Sequence, residues 1–282
     1  MNYRECYEEG LRILNAAGIE ESSLDARLLL EHLCHTRRHD LLVHGDQPVT
    51  EEKVREYLEL IGKRAGHIPL QHLTGTQDFM GLTFRVSENV LIPRQDTEIL
   101  VEEVLKELHD GMTVLDMCTG SGCILISLLH YSNDCTGTGA DVSEAALEVA
   151  RFNGEALLDE EKRSRLSWIR TDLFENVSGR YDRIVSNPPY ISSAVIETLM
   201  PEVRDHEPRM ALDGCGDGLL FYRRIVSESR DHLVRGGMLY FEIGYDQAGA
   251  VCGLMRENGY TDVFTVHDYA GLDRVVCGTY VG

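Results

Sequence analysis

The sequence predicts an α/β protein in which a largely parallel sheet follows a small helical domain and a β-hairpin linker. Apolar residues recur at helical spacing in residues 1–75, and short β-like runs around a glycine follow in residues 76–93. From residue 94 onward, strand-like runs alternate with helical patterns, which is typical of a parallel sheet with helices on both faces. We therefore predict a helical domain (1–75), a hairpin linker (76–93) and an α/β domain (94–282).

Three helices are predicted in the first domain. The first carries an apolar stripe and stops near Gly18. Ser22–Asp25 has the form of a capping box and opens the second, while Thr50 caps the third, which ends at Gly66. Six of the eleven histidines lie in this domain without metal-ligand spacing, so no metal site is predicted.

The α/β domain is predicted as a series of alternating elements. Strands are expected at 113–115, 137–141, 166–169, 183–185, 238–243, 263–266 and 275–280. Helices are expected at 101–108, 123–131, 144–158, 219–234 and 247–258. The two strands that close the chain follow one another without a helix, which predicts an antiparallel edge.

Composition narrows the class of protein. The 282 residues carry a net charge of −20, and a protein that binds nucleic-acid phosphates usually needs a basic face, so nucleic acid is a disfavoured partner. No apolar run approaches the ~20 residues of a membrane span, and the N-terminal residues are polar. Eight scattered cysteines without a Cys-x-x-Cys pair indicate a reducing environment. We expect a cytoplasmic protein without membrane contact, acting as a monomer.

Three strand ends of the α/β domain suit a nucleoside ligand. The first leads into Asp116–Gly122, in which Gly120 and Gly122 let the backbone approach a ligand closely. Asp141 ends the second strand, where a carboxylate can bind both ribose hydroxyls, and Asp172 ends the third, where it can accept from an adenine amino group. Each acid alone is also a common helix cap or turn former, so only the three together indicate a ligand site.

The fourth strand end, Asn187–Tyr190, has the sequence Asn-Pro-Pro-Tyr, which suits the binding of a planar nitrogen. The Asn187 side-chain oxygen and the Pro188 carbonyl can accept both hydrogens of an –NH2 group, and the Tyr190 ring offers a stacking face. Both NAD and S-adenosylmethionine contain ribose and adenine, but this motif offers nothing for hydride transfer. It suits a nitrogen that awaits an electrophilic methyl group, although an ordinary strand-to-loop turn would have the same residues.

Six segments carry a family resemblance that covers nearly the whole chain: 69–75, 90–98, 187–191, 202–209, 211–214 and 242–247. In these segments the sequence resembles the peptide chain release factor glutamine N5-methyltransferases (HemK/PrmC). That family belongs to the class I S-adenosylmethionine-dependent methyltransferases with an Asn-Pro-Pro-Tyr motif. The motif itself is shared with DNA adenine and rRNA methyltransferases, so the flanking segments favour the release-factor enzyme.

The resemblance implies a Rossmann-like class I methyltransferase sheet, a helical domain that helps to grip the release factor, and methylation of the glutamine in its Gly-Gly-Gln motif during the control of translation termination. It implies S-adenosyl-L-methionine as cofactor and S-adenosyl-L-homocysteine as product. The expected cofactor-binding residues are Cys118, Thr119, Gly120, Ser121, Gly122, Asp141, Asp172, Leu173 and Asn187. The expected substrate-binding residues are Asn187, Pro188, Pro189 and Tyr190, of which Asn187, Pro188 and Tyr190 are the expected catalytic residues.

This sequence departs from the family pattern at two places. The family usually has Gly where Cys118 stands, and a side chain there would crowd the cofactor's methionine end if the loop needs a positive φ. The family has Pro-Glu where Gln95 and Asp96 stand, so the carboxylate is kept on a shorter side chain. The charged segment 202–209 is expected to be a solvated loop, unless it shapes the substrate cleft as the resemblance implies.

Three alternative functions remain open. A ribosomal-protein glutamine methyltransferase would use the same chemistry. A nucleic-acid amino methyltransferase would use the same motif on adenine or guanine, and the acidic charge balance disfavours it. A binding protein with a vestigial nucleotide fold would not need the intact Asn187–Tyr190 motif together with the glycine loop and Asp141.

Overall fold

The computed structural model describes all 282 residues. They form two compact units: unit 1 contains Met1–Thr76 and Met200–His206, and unit 2 contains Gln77–Leu199 and Glu207–Gly282. No helix in the structure combines the length and the apolar character that a membrane crossing requires.

The chain contains fourteen α-helices and nine β-strands. The helices are α1 (Tyr3–Ala16), α2 (Ser22–Cys34), α3 (Arg38–Val43), α4 (Glu51–Ala65), α5 (Leu70–Thr74), α6 (Gln95–Lys106), α7 (Cys123–Tyr131), α8 (Glu144–Leu157), α9 (Glu160–Arg163), α10 (Ser193–Ile196), α11 (Pro201–His206), α12 (Arg209–Leu212), α13 (Leu220–Glu228) and α14 (Ala248–Glu257). The strands are β1 (Thr76–Phe79), β2 (Leu82–Arg85), β3 (Thr113–Met117), β4 (Thr136–Asp141), β5 (Leu166–Arg170), β6 (Tyr181–Ser186), β7 (Leu233–Glu242), β8 (Tyr260–His267) and β9 (Asp273–Tyr280).

Helices α1, α2 and α4 pack around the apolar core of unit 1. Tyr57 of α4 is fully buried, and its hydroxyl donates to the Ala26 carbonyl of α2 at 3.0 Å. Gly10 of α1 lets this tyrosine approach, since a Cβ at Gly10 would lie 2.0 Å from the Tyr57 hydroxyl oxygen. The predicted N-cap at Thr50 is present, because its hydroxyl accepts from the Lys53 N–H at 3.4 Å.

The predicted capping box at Ser22–Asp25 is wrong. Helix α2 begins at Ser22 itself, and no side chain caps it. Asp25 instead binds Arg64 of α4, with 2.6 Å between Oδ2 and Nε. This buried ion pair links α2 to α4 and engages the side chain that the capping box would have needed.

The prediction of a solvated loop at 202–209 is confirmed only for Arg204, Asp205 and Arg209, which are exposed, because most of the segment is helical in α11 and α12. Residues Met200–His206 belong to unit 1, although they follow the Asn-Pro-Pro-Tyr motif in the chain. Glu202 accepts from Arg64 Nη1 at 3.1 Å and lies 2.9 Å from His67 Nδ1. Glu207, in unit 2, forms a buried ion pair with Arg94. Ion pairing therefore draws two of these acids out of solvent.

Unit 2 is built on a seven-stranded sheet with the order β5-β4-β3-β6-β7-β9-β8, while β1 and β2 form a separate hairpin. Strands β3 to β7 run parallel, and β9 runs antiparallel to both β7 and β8. The predicted antiparallel edge is therefore confirmed. Chain connections run outward in opposite directions from β3 and β6, which makes this pair the topological switch point.

Helices cover both faces of the sheet, as the alternating pattern predicts. In β3, Val114 faces α6 and α7, while its neighbour Leu115 faces α13 and α14. The predicted helix at 219–234 is too long at its end. Helix α13 stops at Glu228, a single 3-10 turn follows, and β7 begins at Leu233 because that residue pairs with Tyr181 of β6.

Candidate active site

Strand register brings the glycine loop and the Asn-Pro-Pro-Tyr motif together. The last paired residue of β3, Met117, lies opposite Ser186 of β6. Because the two strands are parallel, Cys118 and Asn187 emerge side by side at the carboxyl edge of the sheet. Ligands bind at this edge of doubly wound sheets, at the switch point.

A cavity of about 340 Å³ opens at this edge, within unit 2. It falls in the size range of small-molecule sites, roughly 300–1,000 Å³. Nine predicted site residues line it: Cys118, Thr119, Gly120, Ser121, Asp141, Asp172, Leu173, Asn187 and Pro189. The lining does not include Gly122, Pro188 or Tyr190.

The glycine loop contains three residues with positive φ, at alternate positions. Cys118, Gly120 and Gly122 have φ angles of 63°, 55° and 78°. A Cβ at Gly120 would meet no atom within 4 Å, whereas one at Gly122 would lie 2.9 Å from both Ile126 and Trp168. Gly120 is thus open to the cavity, while Gly122 allows helix α7 to pack closely against the sheet.

Below the loop lies a buried carboxyl group that sequence reasoning did not single out. Asp116 is fully buried, and its Oδ2 accepts from the Thr119 hydroxyl at 2.5 Å. Burial raises the pKa of Asp116 to about 7, although the Thr119 hydrogen bond opposes the shift. This pair supports the loop from inside the protein.

Asp141 was predicted either to bind ribose hydroxyls or to act as a helix cap or turn former, and its contacts are compatible with both roles. Its Oδ2 accepts from the Gly120 N–H and its Oδ1 from the Ser143 N–H, both at 2.9 Å. Burial raises its pKa. Two carboxylate oxygens offer about four acceptor positions, so these backbone donors leave acceptor capacity for a hydroxyl group of a ligand. Helix α8 has its own cap, because the Ser143 hydroxyl accepts from the Ala146 N–H at 3.2 Å.

Asp172 is exposed and lines the cavity. Its Oδ1 pairs with Arg224 Nη1 at 2.8 Å, which leaves Oδ2 for a ligand. The next residue, Leu173, is buried in the left-handed region with a φ of 49°. Such a conformation is costly for a branched side chain and turns the chain sharply after β5.

Three side chains outside the Asn-Pro-Pro-Tyr motif form hydrogen bonds with Asn187 or Tyr190, and none of the three was predicted to belong to the site. Asn187 Nδ2 donates to the Thr97 hydroxyl at 3.5 Å, and the Tyr190 hydroxyl donates to Glu242 Oε1 at 3.3 Å. Gln247 Nε2 donates to the Tyr190 carbonyl at 3.0 Å. Glu242 ends β7, so the strand-end rule that selected Asp141 would also have selected it.

The Pro188 carbonyl accepts no hydrogen bond from the protein. Pro188 and Pro189 are both buried and cannot donate from the backbone. The Pro188 carbonyl is therefore an acceptor without an internal donor, although Pro188 is not part of the cavity lining. The acceptor pair for a planar –NH2 group, Asn187 Oδ1 and the Pro188 carbonyl, stays a prediction.

Arg94 also lines the cavity, and the sequence analysis did not predict it as a site residue. It is the single lysine, arginine or histidine in the cavity lining. Its guanidinium pairs with Glu207, whose side chain is 1% exposed. The buried glutamate fixes the one cation that this cavity presents.

Comparison with known proteins gives matches across the chain. Two family models match: the PrmC N-terminal domain over residues 5–75 and the methyltransferase small domain over residues 94–206. The chain is 42% identical over 262 residues to the release factor glutamine methyltransferase of Geobacter sulfurreducens, covering 93% of this chain and 90% of that one. It is 42% identical over 268 residues to the enzyme of that name from Caulobacter vibrioides, covering 94% and 92%. A solved structure, a methyltransferase from Pyrococcus furiosus, is similar in fold with a TM-score of 0.51 at 20% identity, over 72% of this chain and 90% of that one.

A parallel sheet with its cavity at the glycine loop, matched by a methyltransferase family model, defines this protein as a methyltransferase. The chain is about 40% identical to curated relatives over nearly their full length, and this identity assigns it to a narrower family within the methyltransferases. The chain belongs to the family of release factor glutamine methyltransferases. The resemblance inferred from the six sequence segments is thereby confirmed, as is the predicted fold class.

Proposed function

We propose that this protein transfers a methyl group from S-adenosyl-L-methionine to the side-chain amide nitrogen (N5) of the glutamine in the Gly-Gly-Gln motif of peptide chain release factors. It would thereby modulate translation termination, as a cytoplasmic monomer. The observation that carries the proposal is Asn187, which stands beside the glycine loop and lines the cavity at the sheet edge. The names of the relatives support the choice of substrate.

The cavity fits this cofactor. Gly120 presents open backbone, Asp141 keeps acceptor capacity for the ribose hydroxyls, and Asp172 keeps Oδ2 for an adenine amino group. The residues proposed to hold the cofactor are Cys118, Thr119, Gly120, Ser121, Asp141, Asp172, Leu173 and Asn187. Gly122 contributes by packing, since it shapes the loop without lining the cavity.

The bound cofactor supplies a methyl group that is already activated by a sulfonium. The protein has to improve the nucleophile, because the lone pair of an amide nitrogen is delocalised into its carbonyl. Asn187 Oδ1 and the Pro188 carbonyl would accept the two N–H groups and favour a pyramidal nitrogen as positive charge develops on it. This is electrostatic preorganisation with positioning, which requires no general base.

Tyr190 would give the glutamine amide a flat surface on which to stack. Its hydroxyl and its backbone carbonyl are both held by hydrogen bonds, to Glu242 and Gln247. Burial and the Glu242 carboxylate raise the pKa of the Tyr190 hydroxyl, so the ring stays neutral at any physiological pH. A fixed neutral ring suits alignment of a planar amide.

The direct test is methyl transfer from labelled S-adenosyl-L-methionine to release factor, ribosomal protein and RNA offered in parallel. We expect label in the release factor, and a drop in turnover of about 10²–10³ for Asn187→Ala, the cost of one preorganised hydrogen-bonding group. Asn133→Ala is the matched control, since Asn133 is exposed and does not line the cavity.

The substrate that receives the label decides between the proposed function and its alternatives. Label in ribosomal protein alone would assign the alternative glutamine substrate, and label in RNA alone would assign a nucleic-acid amino methyltransferase. Near-normal turnover of the Asn187→Ala enzyme would contradict the proposed role of this side chain.

A further inference from the structure

Three glycines surround the backbone of Tyr190 and the side chain that binds it. A Cβ at Gly214 would lie 2.8 Å from the Tyr190 Cα, and one at Gly218 would lie 2.3 Å from the Tyr190 carbonyl oxygen. A Cβ at Gly244 would lie 3.0 Å from Gln247 Oε1. Carbon atoms in contact are normally about 3.5–4.0 Å apart, so a side chain at Gly214 or Gly218 would displace Tyr190.

The side-chain amide of Gln247 has only one satisfactory orientation among these glycines. Its Oε1 accepts from the Gly244 N–H at 3.0 Å. Its Nε2 donates to the carbonyl oxygens of Tyr190, at 3.0 Å, and of Gly218, at 3.5 Å. A backbone N–H only donates and a carbonyl only accepts, so a flipped amide would lose all three hydrogen bonds. Gln247 therefore connects three separate stretches of backbone, one of which is the Asn-Pro-Pro-Tyr motif.

The chain that leaves the motif is held by a different kind of bond. The Ile191 N–H donates to the Leu212 carbonyl at 3.0 Å, and the Ile191 carbonyl accepts from the Gly214 N–H at 2.8 Å. Both of these bonds join backbone groups and do not depend on side-chain identity. The Tyr190 carbonyl instead accepts from a side chain, and Gln247 is therefore the residue whose identity decides how Tyr190 is held.

We propose that Gln247 is a positioning residue of the reaction: through the Tyr190 carbonyl it sets where the Tyr190 ring lies, and so aligns the amide that stacks on this ring. The inference rests on the proposed function of Tyr190. The hydroxyl at the far end of Tyr190 donates to Glu242 at 3.3 Å, so restraints at both ends of the residue fix the ring. Gln247 does not line the cavity and acts only through Tyr190.

Gln247→Met tests the proposal, because methionine is close to glutamine in length and removes the donor. We expect kcat at saturating release factor to fall about tenfold, the upper end of the effect of one lost neutral hydrogen bond. The Kd for S-adenosyl-L-homocysteine should be unchanged, since neither Gln247 nor Tyr190 lines the cavity. Gly218→Ala is an independent variant, because its Cβ would displace the Tyr190 carbonyl, and kcat should again fall. Gly216→Ala in the same loop is the control, since a Cβ there meets no atom within 4 Å.

A double variant separates positioning from general damage. Tyr190→Leu keeps the carbonyl that Gln247 binds, and keeps an apolar side chain, but removes the flat ring. In this background Gln247→Met should still lower the urea midpoint, as it does in the wild-type background, but it should cause no further loss of kcat.

Three results would refute the inference: an equal fall in kcat on Gln247→Met in both backgrounds, wild-type kcat for Gln247→Met alone, or equal kcat for Gly218→Ala and Gly216→Ala. Wild-type kcat for Tyr190→Leu would refute the proposed role of Tyr190 itself, and with it the inference.

Discussion

The two glycines of the loop make a matched pair of substitutions with opposite expected consequences. Both have positive φ, so alanine at either position costs about 1–2 kcal/mol of backbone strain. At Gly122 the new Cβ would also lie 2.9 Å from Ile126 and Trp168, and overpacking of this kind costs about 1–3 kcal/mol. We therefore expect Gly122→Ala to lose about 2–5 kcal/mol of unfolding free energy and Gly120→Ala about 1–2 kcal/mol.

Urea unfolding followed by tryptophan fluorescence measures this difference where it arises. The chain has one tryptophan, Trp168, which lies in the sheet of unit 2 against Gly122. Its emission therefore reports the unit that both substitutions perturb. Unfolding free energies of the two variants within about 0.5 kcal/mol of each other, the scatter of ordinary surface substitutions, would refute the packing role of Gly122.

Cofactor affinity should show the opposite order, with a larger loss for Gly120→Ala than for Gly122→Ala. A Cβ at Gly120 meets no protein atom and projects into space where the cofactor is proposed to lie. Calorimetric titration with S-adenosyl-L-homocysteine should show Kd raised by about tenfold or more for Gly120→Ala, since a methyl group forced into a packed contact costs about 1–3 kcal/mol. Wild-type affinity in this variant would contradict the assignment of the loop as the cofactor site.

Two further predictions concern buried charges. Arg64→Met should destabilise unit 1 by about 3–5 kcal/mol, because Asp25 and Glu202 lose their buried cation, whereas Arg12→Ala on the surface should leave the urea midpoint unchanged by circular dichroism. Asp116, with its pKa raised from 3.8 to about 7, contributes stability below pH 3.8 that is lost as pH rises to about 7, so Asp116→Asn should remove that part of the decline in unfolding free energy between these values. Identical pH profiles for wild type and Asp116→Asn, or an unchanged midpoint for Arg64→Met, would contradict these accounts.

The order of elements in unit 2 could be predicted because periodicity and strand ends are local properties. Strand β3 and helix α7 were both found from short apolar runs beside glycines, and the strand-end rule selected Asp141 and Asn187. Parallel register then brings strand ends together at one edge, so the cavity follows from topology.

What could not be predicted depends on partners distant in the sequence. Asp25 has the local signature of a cap, and only the folded chain presents Arg64 to it, 39 residues away. Glu202 looks like part of a solvated loop until Arg64 and His67 surround it. The role of Gly122 likewise depends on Trp168, which lies two strands further along the chain.

The central claim is that the amide nitrogen of one release-factor glutamine receives the methyl group through the acceptor pair at Asn187 and Pro188. Tandem mass spectrometry of release factor treated with wild-type enzyme and S-adenosyl-L-methionine tests it most directly. We expect one added methyl group on the side-chain nitrogen of the glutamine in the Gly-Gly-Gln motif, greatly diminished with Asn187→Ala. A methyl group on any other atom, or undiminished methylation by Asn187→Ala, would contradict the account.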